Sequence, residues 1–157
     1  MIKYFAYGSN MDLERITERI GRCPVAKPVT LAGYELRFNK KAKTNPEEGF
    51  ANIESREGQV VPGVVYDITE EELTRIDGRE GVQNGHYRHS AVSVKTADGN
   101  LIDAVAHVAC GEWVREGLLP RQDYLDHLLA GERMLPEGHV QRLRQQEVLD
   151  NHEGGSN

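Results

Sequence analysis

The sequence predicts an α+β fold, and three of its features carry that prediction. Segments with β periodicity occupy most of residues 2–110, only short helical patterns interrupt them, and the longer helical patterns collect after Pro120. Strands and helices segregated in this way argue against alternating βαβ units. No internal repeat or linker divides the chain, so one domain is expected over residues 1–150. The segment 151–157 has nothing to bury and is expected to be a disordered tail.

Ile2 to Tyr7 is apolar on both faces after Lys3, the pattern of a central, buried strand. Leu13, Ile16 and Ile20 then recur at helical spacing. Asp12 and Glu14 sit in the first turn and Gly21 stands at the end, which gives a helix over about Asp12–Ile20. Cys23 to Pro28 reads as a loop or edge, and Tyr34, Leu36 and Phe38 alternate with polar residues as in a half-buried strand. Lys40 to Gly49 is polar and reads as a mobile surface loop, with Lys40-Lys41-Ala42-Lys43 as a solvated face. A short strand at Phe50–Ile53, a turn near Gly58 and a strand at Val60–Ile68 follow, with Pro62-Gly63 marking a bulge or an edge.

Thr69-Glu70-Glu71-Glu72 is a capping box, in which Thr69 accepts from the amide of Glu72 and the Glu72 carboxylate reaches back. Leu73 and Ile76 supply the buried stripe. Gly78 is expected to stop this helix, leaving Arg79-Glu80-Gly81 in a loop. Arg88–Lys95 and Leu101–Cys110 form a hairpin around Asp98-Gly99. With a two-residue turn, position 97 pairs with 100 and 89 with 108, so His89 and His107 point to opposite faces. A metal shared among His86, His89 and His107 is therefore not expected. Pro120 opens a helix to about Gly131 with Tyr124, Leu125, Leu128 and Leu129 on one stripe, and Pro136 opens another carrying Val140 and Leu143.

Composition narrows the function. With 157 residues, 38% hydrophobic and 28% charged, the chain can bury a core without disulfide or metal staples. A net charge of −6 argues against a broad nucleic-acid interface, while leaving room for a local cationic pocket. No signal-peptide pattern or membrane-spanning apolar run is present, which points to the cytoplasm and to no membrane partner. Cys23 and Cys110 form no framework of paired spacings and read as free thiols.

Two stretches carry chemistry. Tyr7-Gly8-Ser9-Asn10 is a strand-to-helix turn whose backbone N–H groups can hold a carboxylate or an oxyanion, with Gly8 allowing close approach. The same residues also serve simply to bend the chain and cap a helix. Glu80-Gly81-Val82-Gln83-Asn84-Gly85-His86-Tyr87 offers a carboxylate beside glycine, able to project into a cleft as a general base. By composition alone Glu80 is one of 25 acidic residues. Ser9 lacks a Gly-x-Ser-x-Gly elbow and a histidine placed by any motif, so a serine hydrolase is not supported.

Phe5-Ala6-Tyr7-Gly8-Ser9-Asn10-Met11 together with Glu80-Gly81-Val82-x-x-Gly85-x-Tyr87 resembles the γ-glutamylcyclotransferase family, which includes AIG2-like proteins. The resemblance extends through Gly49-Phe50-Ala51-Asn52-Ile53, Gly63-Val64-Val65-Tyr66, Ile76-Asp77, Pro120 with Tyr124, and Leu135-Pro136, from Ile2 to about Arg144. It implies a compact mixed β-barrel with short helices, Glu80 as catalytic acid/base, and Tyr7, Gly8, Ser9, Asn10, Tyr87 and Tyr124 as substrate-binding residues. It implies no metal or organic cofactor, a small-molecule γ-glutamyl substrate, and leaves room for a homodimer. Two departures stand out: Arg121 where serine is frequent, expected to alter the pocket rim, and His139 where tyrosine is frequent, expected to affect packing.

The implied reaction closes a five-membered ring. The α-amine of a γ-glutamyl amino acid or amide attacks its own γ-carbonyl, releasing 5-oxoproline and an amine, so holding one rotamer accelerates it. A free α-amino group has a pKa of about 7.7–8.0, and Glu80 is the candidate to take its proton and then protonate the departing amine. The alternative on the same fold is a binding or regulatory protein that holds a small carboxylate without turnover.

Overall fold

β1 (Ile2–Ala6) is the strand on which the sheet closes. It pairs antiparallel with β3 (Gly49–Ile68), setting Ile2 opposite Ile68 and Ala6 opposite Val64, and parallel with β5 (Leu101–Ala109) at Tyr4 and Val105. β2 (Ala26–Lys41) and β4 (Tyr87–Thr96) complete a closed barrel in the order β1-β3-β2-β4-β5. Two of its seams are short: β2 meets β4 at Val29–Thr96 and Thr30–Lys95, and β1 meets β5 at Tyr4–Val105. The computed structural model that shows this describes residues 1–149, so the tail expected to be disordered lies outside the described residues. Phe5, Ile53, Val65, Val94 and Ala106 fill the barrel, and Ile16, Ile20, Ile76, Leu125, Leu128 and Leu143 bring the helices onto it.

The strands run further than their apolar patterns. β2 continues from the expected loop at Pro28 through Lys41, and β3 is continuous across Gly58. Both depart from expectation because the irregularities are absorbed inside the β2–β3 ladder. The register jumps between Ala32 and Tyr34, where partners pass from Val60 to Ser55, and Gly33 and Gly58 take positive φ (83° and 84°). What reads as a turn is thus a bulge in a long bent hairpin. The surface loop shrinks accordingly, and Lys40 and Lys41 are strand residues opposite Phe50 and Gly49.

The Gly21 stop and the Thr69 capping box are as the sequence predicts, and Asp12, expected inside the first turn, is instead the cap that precedes it. Asp12 accepts from the amides of Glu14 and Arg15 at the start of α1 (Leu13–Ile20), and Gly21 closes it at φ 87°. The Thr69 capping box opens α2 (Glu70–Glu80). The other end differs: the helix passes through Gly78 and stops at Gly81, the glycine that takes positive φ (71°) and whose N–H bonds to Asp77 O. Glu80 therefore rides on the last helical residue rather than in a loop. α3 (Gln122–Leu129) starts two residues after Pro120, and α4 (Glu137–Arg144) follows Pro136. No helix among the described residues is long and apolar enough to cross a membrane.

The β4–β5 register is also corrected. Thr96 N–H bonds to Asn100 O, Gly99 has φ 88°, and Lys95 pairs with Leu101, so the loop holds three residues, Ala97 to Gly99, instead of two. Every pair moves by one. His89 faces His107 directly, on the same side of the sheet.

Candidate active site

Where β1 leaves the barrel, the chain makes one 3-10 turn, Ser9–Met11, before α1. Such a turn leaves its first amides, those of Ser9 and Asn10, without helical partners. A Cβ on Gly8 would stand 3.1 Å from Ala51 Cβ and 3.2 Å from the Tyr124 hydroxyl, so the loop packs against β3 and α3 only because Gly8 has none. Tyr66 donates its hydroxyl to Asn10 O at 2.7 Å and fixes the turn from beneath.

Glu80 faces this loop from the end of α2. Asn10 Nδ2 donates to Glu80 Oε1 at 3.1 Å and to the Tyr4 hydroxyl at 3.0 Å. Arg19 Nη1 donates to Asn10 Oδ1 at 2.8 Å and lies 3.7 Å from Glu80 Oε1. The carboxylate is held, and its side chain keeps 22% of its surface toward the cavity.

Tyr7, Tyr87 and Tyr124 are held through backbone groups. Tyr7 donates to His107 O at 2.5 Å, Tyr87 donates to Ala51 O at 2.8 Å, and Ala51 N–H donates to the Tyr124 hydroxyl at 3.1 Å. Burial raises the pKa of all three, with neighbouring charges adding to it for Tyr7 and Tyr87, so they remain neutral phenols. Asn52 secures the wall by accepting from Ala109 N–H at 2.9 Å and donating to Asn39 at 3.0 Å.

All seven residues singled out in the sequence, Glu80, Tyr7, Gly8, Ser9, Asn10, Tyr87 and Tyr124, line one narrow inner pocket together with Tyr4, Ala51 and His107. It opens into a larger cavity of about 350 Å³ that shares Ser9, Glu80, Tyr87 and Tyr124. The larger cavity carries Arg15, Arg19, Lys40, Lys43 and Arg79 against the single carboxylate of Glu80. A strongly cationic pocket thus sits on a chain of net charge −6. Arg121 lies on an adjoining cleft with Glu48, Phe50 and Tyr124, and His139 is buried away from the pocket.

Lys40 is the functional candidate that sequence reasoning placed on a solvated face. It is buried, donates to His86 Nδ1 at 2.7 Å, and sets its ammonium 4.6 Å from the Trp113 ring, 5.5 Å from Tyr87 and 5.6 Å from Phe50. Burial lowers its pKa to about 8, against the opposing pull of Glu80. Trp113 stacks on His86 at 3.7 Å and closes this side. Arg19 was equally hidden, since its helix position gives no sign that it turns toward Glu80.

The closed five-stranded barrel with its helices is shared with γ-glutamylcyclotransferases of known structure. A solved γ-glutamyl cyclotransferase superposes with a TM-score of 0.82 at 29% identity, covering 95% of this chain and 89% of that one. Residues 60–143 match the AIG2-like family, and the chain belongs to that family. It is 36% identical over 102 residues to the γ-glutamylcyclotransferase of Bos taurus, a match covering 63% of this chain and 54% of the relative. The Mus musculus γ-glutamylcyclotransferase is 28% identical over 146 residues, 90% of this chain and 76% of the relative. The chain spans about half the length of the Bos taurus and Homo sapiens γ-glutamylcyclotransferases that it matches.

Proposed function

We propose that this chain is a γ-glutamylcyclotransferase, converting a γ-glutamyl amino acid or amide into 5-oxoproline and a free amine. One observation carries the reading: Glu80 Oε1 stands 3.1 Å from Asn10 Nδ2, which sets the carboxylate beside the Tyr7–Asn10 loop at the inner end of a cavity of about 350 Å³. Glu80 takes a proton from the substrate α-ammonium, and the amine nitrogen attacks the γ-carbonyl carbon. The tetrahedral oxyanion is stabilised by the Ser9 and Asn10 amides, where loss of one such donor costs about 2.7–4 kcal/mol. The C–N bond to the leaving amine then breaks as the Glu80 carboxylic acid gives its proton to that nitrogen, and the freed carboxylate takes the second proton from the ring nitrogen, so that the lactam forms and the amine departs as an ammonium. One carboxylate serves both steps.

The cations supply binding. Lys40 and Arg19 offer charge-assisted donors to substrate carboxylates, and the neutral tyrosines shape the walls. Ser9 positions rather than attacks. In this reading the enzyme works in the cytoplasm, in keeping with Cys23 and Cys110 as free thiols. The relatives' names support the reading, as does the agreement of fold. Incubation with a panel of γ-glutamyl amino acids and amines, following 5-oxoproline, tests it. Formation of 5-oxoproline that is abolished in Glu80→Gln is expected, and no turnover of any member of the panel would overturn the proposal.

A further inference from the structure

Behind the pocket, three ligand-bearing side chains converge on one point. Asp77 Oδ1 accepts from His89 Nε2 at 2.7 Å and from His107 Nε2 at 2.7 Å, and the three ligand atoms lie within 4.8 Å of one another. We infer that Asp77, His89 and His107 form a binding site for a divalent first-row metal ion of the zinc class. Their presentation is built into the fold: α2 supplies the carboxylate, and the β4–β5 register sets the two imidazoles opposite each other.

The donor set decides the cation. Two imidazole nitrogens and one carboxylate oxygen suit zinc-like ions, whereas calcium and magnesium favour all-oxygen shells. Ligand atoms bound at about 2.0–2.1 Å around a tetrahedral ion stand about 3.3 Å apart. The two hydrogen bonds therefore open by only about 0.6 Å, the ion taking the place of the two shared protons. Asp77 and His107 are the sheltered ligands, with 17% and 4% of their side-chain surface exposed, and His89 at 42% is free to adjust and leaves a side open for water.

The outer nitrogen of His107 also has a partner, the feature that orients ligating histidines. Its Nδ1 lies 3.3 Å from the Tyr4 hydroxyl. With no ion bound and His107 neutral, Nε2–H donates to Asp77 and Tyr4 donates to Nδ1, because a carboxylate only accepts. An ion on Nε2 moves the imidazole proton to Nδ1, so Tyr4 accepts from His107 and turns its own proton toward the pocket. Tyr4 also accepts from Asn10, which bonds Glu80, so the ion would be linked to the pocket through three hydrogen bonds.

Calorimetric titration of the purified chain with Zn²⁺, paralleled by Co²⁺ absorbance, tests this without any assumption about turnover. One ion per chain is expected, with the intense visible bands of a four- or five-coordinate cobalt site and no thiolate charge-transfer band from Cys23 or Cys110. His89→Ala changes an exposed residue and is expected to keep the parent circular dichroism while weakening binding about tenfold or more. Asp77→Asn should weaken it as well, and His127→Ala, at a separate Asp-His pair, should leave it unchanged. Absence of binding, a six-coordinate cobalt spectrum, or equal affinity in His89→Ala and the parent would overturn the inference.

Discussion

Replacing Lys40 by methionine keeps an unbranched stem against Phe50, Tyr87 and Trp113 and removes the charge. A charge-assisted hydrogen bond to a substrate carboxylate contributes about 1.5–3 kcal/mol. KM should therefore rise about 10- to 100-fold at pH 7, with kcat much less affected. The pH profile makes the prediction specific. With a pKa of about 8, Lys40 is charged in about nine molecules of ten at pH 7 and about one in ten at pH 9. KM of the parent should climb about tenfold over that interval. Lys40→Met has no such group and supplies the baseline, including whatever the substrate's own α-amine contributes. Initial rates of 5-oxoproline formation at several pH values give both curves. An unchanged KM at pH 7 in Lys40→Met, or parallel pH profiles in the two proteins, would refute the assignment.

Two further substitutions probe the frame. Gly63→Ala places a Cβ 2.4 Å from Ala6 O and 2.6 Å from Phe5 Cε1, at the β1 end that carries the Tyr7 loop. Urea unfolding should show a loss of about 3 kcal/mol, and a loss below about 1 kcal/mol would contradict the packing described. His139 is buried, its Nε2 has no hydrogen-bond partner, and burial together with Arg142 lowers its pKa to about 4. The unfolded chain then binds the extra proton first, so stability falls as pH drops below about 6.5 and levels off near the folded pKa. Between pH 7.5 and 5 this amounts to about 1–2 kcal/mol after allowance for solvent screening. His139→Leu should lose that part of the acid sensitivity, measured by urea midpoints at the two pH values.

What the chain disclosed in advance follows the range of the interactions. The Thr69 capping box and the Gly21 stop depend on residues within one helical turn, and each stands where the sequence puts it. The loop at Tyr7–Asn10 and the acid at Glu80 were legible as two motifs, and the fold brings them to hydrogen-bonding distance. Longer-range features were hidden. Gly78 and Gly81 offer equally plausible stops, and only the backbone shows that Gly81 takes the left-handed conformation. One extra loop residue at Ala97–Gly99 turns His89 toward His107, a difference that alternation along either strand cannot reveal. Lys40 sits in a run of lysines that looks solvated. Its burial comes from β2 outlasting its apolar pattern and from Phe50, Tyr87 and Trp113 arriving from three other places in the chain.

In the proposed reaction Glu80 moves the proton. Glu80→Gln keeps the shape and an oxygen to accept from Asn10 while removing the group that takes up and returns a proton. Single-turnover formation of 5-oxoproline from a γ-glutamyl amino acid, with binding of the same compound measured separately, isolates that step. A rate lower by about 10²–10⁴-fold is expected, with affinity changed only severalfold. A Glu80→Gln protein that cyclises substrate at the parent rate would contradict it.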